Sequence, residues 1–228
     1  MTNYNDETLT TIHRQQGDIH MKLLRETIRR ILLEEGMVTP DKLPADIGVY
    51  VVFRKGDNYA HIRYCGINPD GTLGRSYSDT GRAGRDGIYG ELMCHKINDS
   101  ANCDGAWVID STDALSGYGP LLYDIAMEIA TMNGSGLVSD RRQVSIEAHD
   151  VWQYYLDNRP DVTVFQCDDR DDSLTPDPSD NLDQRIPKNA YGYDTLEWTD
   201  HQLSKRYSKP NVWFDALNKA GKLFVVRK

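Results

Sequence analysis

The sequence has little cysteine and no long apolar run, and each shortage excludes a class of protein. Its four cysteines, Cys65, Cys94, Cys103 and Cys167, are scattered through 228 residues without a CxxC pair or a matching histidine spacing. This pattern favours reduced thiols over a disulfide scaffold or a zinc site. No stretch approaches the about 20 apolar residues that span a bilayer, so no membrane partner is predicted.

An excess of positive charge is also missing. The chain carries 26 basic and 35 acidic residues, which gives a net charge of −9 at pH 7. Because an acidic surface repels phosphates, nucleic acid is not a predicted partner. The length allows one domain with a substantial core and terminal extensions.

The centre of the sequence predicts a strand, a glycine turn and a helix. Residues 106–111 predict a strand, Gly117-Tyr118-Gly119-Pro120 follows, and apolar residues then recur at helical spacing from Leu122 to Ala130. Proline is favoured at the start of a helix, where its missing N–H is not needed. Free backbone amides at such a helix start are typical of an anion site.

A second strand and helix follow. Residues 136–140 predict a short strand, and Ser145 predicts the N-cap of a helix with an apolar stripe of Ala148, Val151, Trp152 and Tyr155. The order strand, helix, strand, helix requires a parallel crossover within one sheet.

The region before this crossover predicts an antiparallel meander. Strands are expected at 48–54 and 61–67, joined by a turn at 55–58, and at 87–97. In the third strand Glu91 and His95 share a face, and either side chain is a candidate general base if that face borders a cleft. The alternative is a structural histidine with a satisfied hydrogen bond.

The last part of the chain predicts a strand at 162–167, a solvated acidic loop at 168–184 and irregular polar structure at 186–210. A short helix at 212–220, closed by Gly221, and a strand at 222–226 complete the prediction. The predicted class is therefore α/β (α+β), with a central mixed sheet formed by an antiparallel N-terminal meander and a β-α-β-α crossover half.

The crossover with its Gly117-Tyr118-Gly119 turn resembles the acyl-CoA-binding half of GNAT-type N-acetyltransferases. The resemblance implies acetyl-CoA as cofactor, with its pyrophosphate on the amides of Gly117, Tyr118 and Gly119. It also implies that Val108 and Ile109 pair with the pantetheine arm. An amine would then accept the acyl group, and Glu91, His95 or water would take its proton. Tyr155 is expected to act as a substitute acid that protonates the departing thiolate.

Two positions depart from the GNAT pattern. Ala114 stands where the family usually has Gln or Arg, and Trp152 stands where a Tyr often serves as the acid. These departures favour an alternative function, in which a degenerate GNAT-like fold binds a host or virion partner without catalysis.

The N-terminal part carries a second resemblance. Residues 1–20 predict a disordered extension, and residues 21–35 predict an amphipathic helix with a basic face. The segment is similar to the capsid-targeting leader of internal head proteins in large tailed bacteriophages. This resemblance implies that residues 21–35 contact the capsid and a prohead protease, which cuts after Glu34 or Glu35.

The leader interpretation implies a virion protein that reaches the host cytoplasm; otherwise the chain is expected to be cytoplasmic. Either Met21 is the true start or residues 1–20 are an extension. An ordinary helix packed on the domain remains the alternative for residues 21–35. Residues 36–47 predict a linker, and 48–228 the GNAT-like domain.

Overall fold

The computed structural model describes residues 36–54, 56–74, 89–97, 103, 105–140, 144–169, 174–176, 181–182 and 198–228. The chain divides into two units, Met1–Met37 and Val38–Lys228. The predicted extension 1–20 and the predicted leader helix 21–35 lie outside the described residues. Most of the predicted linker 36–47 belongs to the second unit, in whose core Leu43 is buried.

Within its described part, the second unit contains one eight-stranded sheet, a two-stranded sheet and three α-helices. The elements are β1 (Ile47–Arg54), β2 (Tyr59–Gly66), β3 (Gly90–Lys96), β4 (Ala106–Ala114), α1 (Gly119–Asn133), β5 (Gly136–Val138), α2 (Ile146–Asn158), β6 (Thr163–Gln166), β7 (Asp168–Asp169), β8 (Asn181–Leu182), β9 (Lys205–Ser208), α3 (Trp213–Lys219) and β10 (Leu223–Arg227). The large sheet has the order β10-β1-β2-β3-β4-β5-β9-β6. The predicted mixed α/β class is confirmed.

Strands β1 to β4 form the predicted antiparallel meander. The alternation expected in β3 is also present, because Leu92 and Cys94 are fully buried in the main core while Glu91 and His95 lie on the other face of the sheet. This alternation separates an apolar face, which packs against α1, from a face that carries polar side chains.

The predicted crossover connects β4 to β5 through α1. The two strands are parallel and pair Ala106 with Gly136, Trp107 with Leu137 and Val108 with Val138. Residues 121–130 of α1 are all buried, so this helix is enclosed on every side. The predicted N-cap of α2 is confirmed, since Ser145 Oγ accepts a hydrogen bond from the Ala148 amide at 3.3 Å.

The C-terminal part of the chain fills two places in the sheet. Strand β9 lies between β5 and β6 and is antiparallel to both, whereas β10 pairs in parallel with β1 at one edge. The prediction of irregular structure over 186–210 is therefore wrong at Lys205–Ser208. Tyr207 of β9 is fully buried against Trp152, with the ring centroids 4.8 Å apart.

The remaining C-terminal predictions concern α3 and the acidic loop. Gly221 ends α3 in a left-handed conformation, with φ of +66° and its amide donating to the Asn218 carbonyl at 3.0 Å. In the acidic segment, Asp168 is buried in the short strand β7 and accepts a hydrogen bond from the Thr175 amide at 2.9 Å.

Candidate functional site

The parallel strands β4 and β5 pair over three residues and then separate. Strand β4 continues from Ile109 to Ala114, and along this stretch it borders a cavity of about 550 Å³. Met93 of β3 lies opposite Ser111, and Cys94 lies opposite Ile109. Asp110 is therefore an extra residue, a β-bulge, at the point where the strands part.

Two helices complete the walls of this cavity. Gly119 and Tyr123 of α1 line one side, and the first two turns of α2 line another, including Ala148 and Trp152. The rings of Tyr123 and Trp152 meet edge to face, with centroids 5.6 Å apart. Burial raises the pKa of Tyr123, so its phenol is protonated at neutral pH.

The lining of the cavity is acidic. Its lining residues include Asp110, Asp113, Asp140 and Glu147, and they include no Lys or Arg among the residues that the structure describes. Carboxylates grouped in this way attract cations and repel phosphates.

One of these carboxylates pairs with a predicted site residue. His95 Nδ1 lies 2.8 Å from Oδ1 of Asp110, and both side chains are partly exposed, at 44% and 37%. When Nδ1 carries the proton it donates to Asp110, and Nε2 is then the proton acceptor. Asp110 was not predicted as a site residue, because its role depends on the bulge.

A second histidine and carboxylate pair lies on the same face of the sheet. Glu91 Oε2 is 2.9 Å from Nε2 of His61, another residue that sequence reasoning missed. Burial lowers the pKa of His61, and the hydrogen bond to Glu91 opposes this effect. Neither Glu91 nor His95 lines the cavity directly, and His95 is connected to it through Asp110.

The three residues of the predicted glycine turn, Gly117, Tyr118 and Gly119, differ in backbone conformation, in hydrogen bonding and in their contact with the cavity. Gly117 is in a left-handed conformation, with φ of +84°. The Tyr118 amide donates to the Leu115 carbonyl at 3.0 Å, and the Tyr118 carbonyl accepts from the Tyr64 hydroxyl at 2.7 Å. Only Gly119 of the three lines the cavity.

The first turn of α1 has no acidic residue and no side-chain cap. The amides of Gly119 and Leu121 precede the first helical hydrogen bonds, and Pro120 has no amide hydrogen. The positive end of the helix dipole thus adjoins the cavity beside Gly119.

Of the remaining predicted residues, Val108 and Tyr155 lie away from the cavity. Ile109 lines it, but Val108 is paired with both neighbouring strands and packs with Cys103 and Cys167. Tyr155 is buried between α1 and α2, where its hydroxyl donates to Asp124 at 3.0 Å. Burial and the adjacent Asp124 carboxylate raise its pKa well above the usual value.

Asp124 belongs to a buried network of charges that the sequence did not indicate. Arg159 donates to both oxygens of Asp124, at 2.7 and 2.9 Å, and also to Asp161. Lys209 Nζ contacts Glu128 and lies 3.2 Å from Asp124, and the Lys209, Asp124 and Glu128 side chains are all fully buried. Such a network resists disruption, because loss of one partner leaves a buried charge uncompensated.

Glu128 also connects α1 to the C-terminal part of the chain. Its carboxylate accepts the amides of Trp213, at 2.9 Å, and Phe214, at 2.6 Å, at the start of α3. These bonds satisfy helix-end donors that otherwise lack acceptors.

Across the part of the chain that the structure describes, no three His, Cys, Asp or Glu side chains group as metal ligands. No helix in the same part combines the length and apolar character needed to cross a bilayer. Comparison of the chain with protein-family models, curated protein sequences and solved structures finds no match.

Proposed function

We propose that the chain is an acyl-CoA-dependent N-acyltransferase with a GNAT-like fold. The observation that carries this proposal is the open edge of β4, where residues 109–114 border the cavity instead of pairing with β5. A strand edge in a cleft offers backbone N–H and C=O groups to an extended ligand that contains amides. The pantetheine arm of coenzyme A is such a ligand.

The volume of the cavity and the helix start beside it support this cofactor. A volume of about 550 Å³ is within the usual range for small-molecule sites. A pantetheine arm along β4 would lead to the start of α1, where the amide of Gly119 is the proposed contact of the pyrophosphate. The sheet order, with parallel β4 and β5 after an antiparallel meander, supports the GNAT resemblance by analogy.

The chemistry is attack of an amine nitrogen on the thioester carbonyl, which forms a C–N bond and breaks the C–S bond. The bulge at Asp110 interrupts the ladder of β4 and leaves backbone donors for the oxyanion. The His95–Asp110 pair accepts the amine proton. The neutral phenol of Tyr123 lines the cavity and is the proposed proton donor to the thiolate.

The acidic lining supports a cationic acceptor. An amine is protonated at neutral pH, and the carboxylates of Asp110, Asp113 and Glu147 attract it to the cavity before it loses its proton. The same carboxylates repel the phosphates of the cofactor, and the positive end of the α1 dipole is proposed to offset this repulsion.

A thermal-shift titration with acetyl-CoA and CoA tests the proposal, since a ligand that binds only the folded chain raises its Tm. Ala148 of α2 lines the cavity, and Ala148→Phe should fill it and abolish the shift. Ala216→Phe, at an exposed position of α3, should retain it. Absence of any shift at millimolar cofactor would refute the enzyme proposal.

A second candidate function is that of a non-enzymatic domain that binds a host or virion partner. The absence of a cation among the described lining residues and the burial of Tyr155 against Asp124 favour it. The titration separates the two candidates, because only the acyltransferase requires the cofactor.

We further propose that residues 21–35 direct the chain into a phage head, from which it reaches the host cytoplasm. The sequence of this segment, with Leu33-Glu34-Glu35 before Gly36, supports the proposal. Mass spectrometry of purified virions should find a new N-terminus at Glu35 or Gly36. An uncut segment 21–35 in mature particles would contradict the processing step.

A further inference from the structure

Two of the four cysteines lie in contact inside the second unit. The Sγ atoms of Cys103 and Cys167 are 3.4 Å apart, although the residues are 64 positions apart in sequence. Both side chains are buried, and they pack with Ala106 and Val138 in a small apolar cluster. Cys65 and Cys94 belong to two other clusters.

The position of this pair in the sheet gives it a structural consequence. Cys103 precedes β4, and Cys167 follows β6, which is separated from β4 by β5 and β9. Ala106 belongs to the first and Val138 to the last of the three residue pairs that join β4 and β5. A bond between the sulfurs would therefore connect the segment before β4 with the segment after β6, beside this paired stretch.

We propose that Cys103 and Cys167 form a reversible disulfide when the chain reacts with a peroxide. One thiolate attacks hydrogen peroxide to give a sulfenic acid and hydroxide, which takes up a proton to become water. The second thiolate attacks the sulfenic sulfur, the S–S bond forms, and hydroxide leaves and takes up a proton to become a second water. The two thiols are oxidised and the peroxide is reduced, while a dithiol reverses the reaction by exchange.

The geometry requires only a small movement. A disulfide bond is about 2.05 Å long, so the sulfurs must approach by about 1.4 Å from their separation of 3.4 Å. Cys103 has a φ of +49°, which is uncommon for a residue with a side chain, and Gly105, two residues later, has a φ of +74°. The turn before β4 is therefore the segment expected to shift and to admit the peroxide.

The two other thiols provide an internal control. Cys65 and Cys94 are buried in two separate clusters, away from the contact between Cys103 and Cys167. Neither of them is therefore expected to form a disulfide under the same conditions. The proposal is independent of whether the cavity binds acyl-CoA.

The test is peptide mapping of the full-length chain after hydrogen peroxide, without reduction. We expect a linked peptide pair that contains Cys103 and Cys167, two titratable thiols in denaturant instead of four, and recovery of all four after dithiothreitol. The oxidised chain should also have a higher Tm, because the link closes a long loop of the unfolded chain. Cys103→Ser and Cys167→Ser should each lose the link and the Tm increase.

A Cys65→Ser variant serves as the matched control and should still form the link. Because mapping of the natural chain needs no variant, poor folding of a serine variant does not affect the main result. Four free thiols after peroxide, over-oxidation of the two cysteines without a link, or linkage of either to Cys65 or Cys94 would each overturn the proposal.

Discussion

His95 Nδ1 lies 2.8 Å from Oδ1 of Asp110, and Asp110 is the extra residue at the bulge where β4 separates from β5. The bulge places a carboxylate at the edge of the cavity and at the same time within reach of a histidine on the neighbouring strand. This relationship combines a candidate proton acceptor with the strand edge that is proposed to hold the cofactor.

Substitution of this pair tests its role. Asp110→Asn and His95→Gln should each lower the rate of acyl transfer by about 10²–10⁴-fold, because general-base catalysis contributes that much. The acetyl-CoA dissociation constant, measured by calorimetry, should change less than twofold in His95→Gln. His61→Gln is the control, since the His61–Glu91 pair includes no residue that lines the cavity, whereas His95 pairs with the lining residue Asp110. An unchanged rate in His95→Gln would remove the pair from the mechanism.

Substitution of Gly119 should change the affinity for the cofactor without changing the stability of the fold. A Cβ added at this residue would lie 3.8 Å from the Cβ of Ala114, an ordinary contact, so Gly119→Ala should fold normally. Because the methyl group would enter the cavity at the start of α1, we expect acetyl-CoA affinity to fall by about tenfold. Calorimetric titration measures this change, and unaltered affinity would exclude a phosphate beside Gly119.

Gly71→Ala is the control for Gly119→Ala, because it should lower stability without changing the affinity for the cofactor. Its φ of +80° requires a left-handed conformation, and the added Cβ would meet no atom within 4 Å. It should cost about 1 kcal/mol of stability and leave cofactor affinity unchanged.

The buried network predicts strong coupling between Lys209 and Glu128. Lys209→Met leaves the fully buried carboxylates of Asp124 and Glu128 without their ammonium partner, and should reduce the free energy of unfolding by about 3–5 kcal/mol. Denaturant titration of the double variant Lys209→Met/Glu128→Gln should show a loss smaller than the sum of the single losses by about 1–3 kcal/mol. Simple additivity would show that the two charges do not interact.

The buried His149 and the partly buried His61 predict a loss of stability at mildly acidic pH. Burial lowers the pKa of His149 and of His61, the latter against an opposing effect of Glu91. In the unfolded chain both rings gain protons as the pH falls through about 6.5, while in the folded chain they stay neutral to lower pH. The stabilisation is therefore complete above pH 7 and declines as the pH falls towards the folded pKa values.

Each proton that only the unfolded chain binds makes the free energy of unfolding fall by about 1.4 kcal/mol per pH unit. Denaturant titrations between pH 7 and pH 5 should show this slope. The free energy of unfolding of the double variant His61→Gln/His149→Gln should depend less steeply on pH than that of the natural chain. An equal slope would assign the effect to other groups.

The sequence predicted the elements that have long, regular patterns. The meander, the crossover helices, the Ser145 N-cap and the Gly221 terminus all depend on residues close together in the chain. Strand β9 was missed, because its four residues include Lys205 and Arg206 and its pairing with β5 and β6 depends on distant partners. The parallel pairing of β10 with β1 depends on long-range contact in the same way.

The candidate site was only partly predictable. Ile109 and Gly119 follow from the strand and the turn, and the location of His95 follows from the alternation of β3. Asp110 depends on a bulge that has no sequence pattern of its own. The periodicity of the helix placed Tyr155 on its buried face but did not indicate its role, because a structural tyrosine and a catalytic one have the same helical spacing.

The placement of β9 and β10 affects how the sheet is assembled during synthesis. Residues 205–208 and 223–227 occupy positions beside strands that are translated much earlier. Until they emerge from the ribosome, the β1 and β5 edges that they cover have no partner from this part of the chain. Unpaired strand edges can form backbone hydrogen bonds with other chains. A nascent or truncated product that ends before Lys205 should therefore depend on chaperones and aggregate readily.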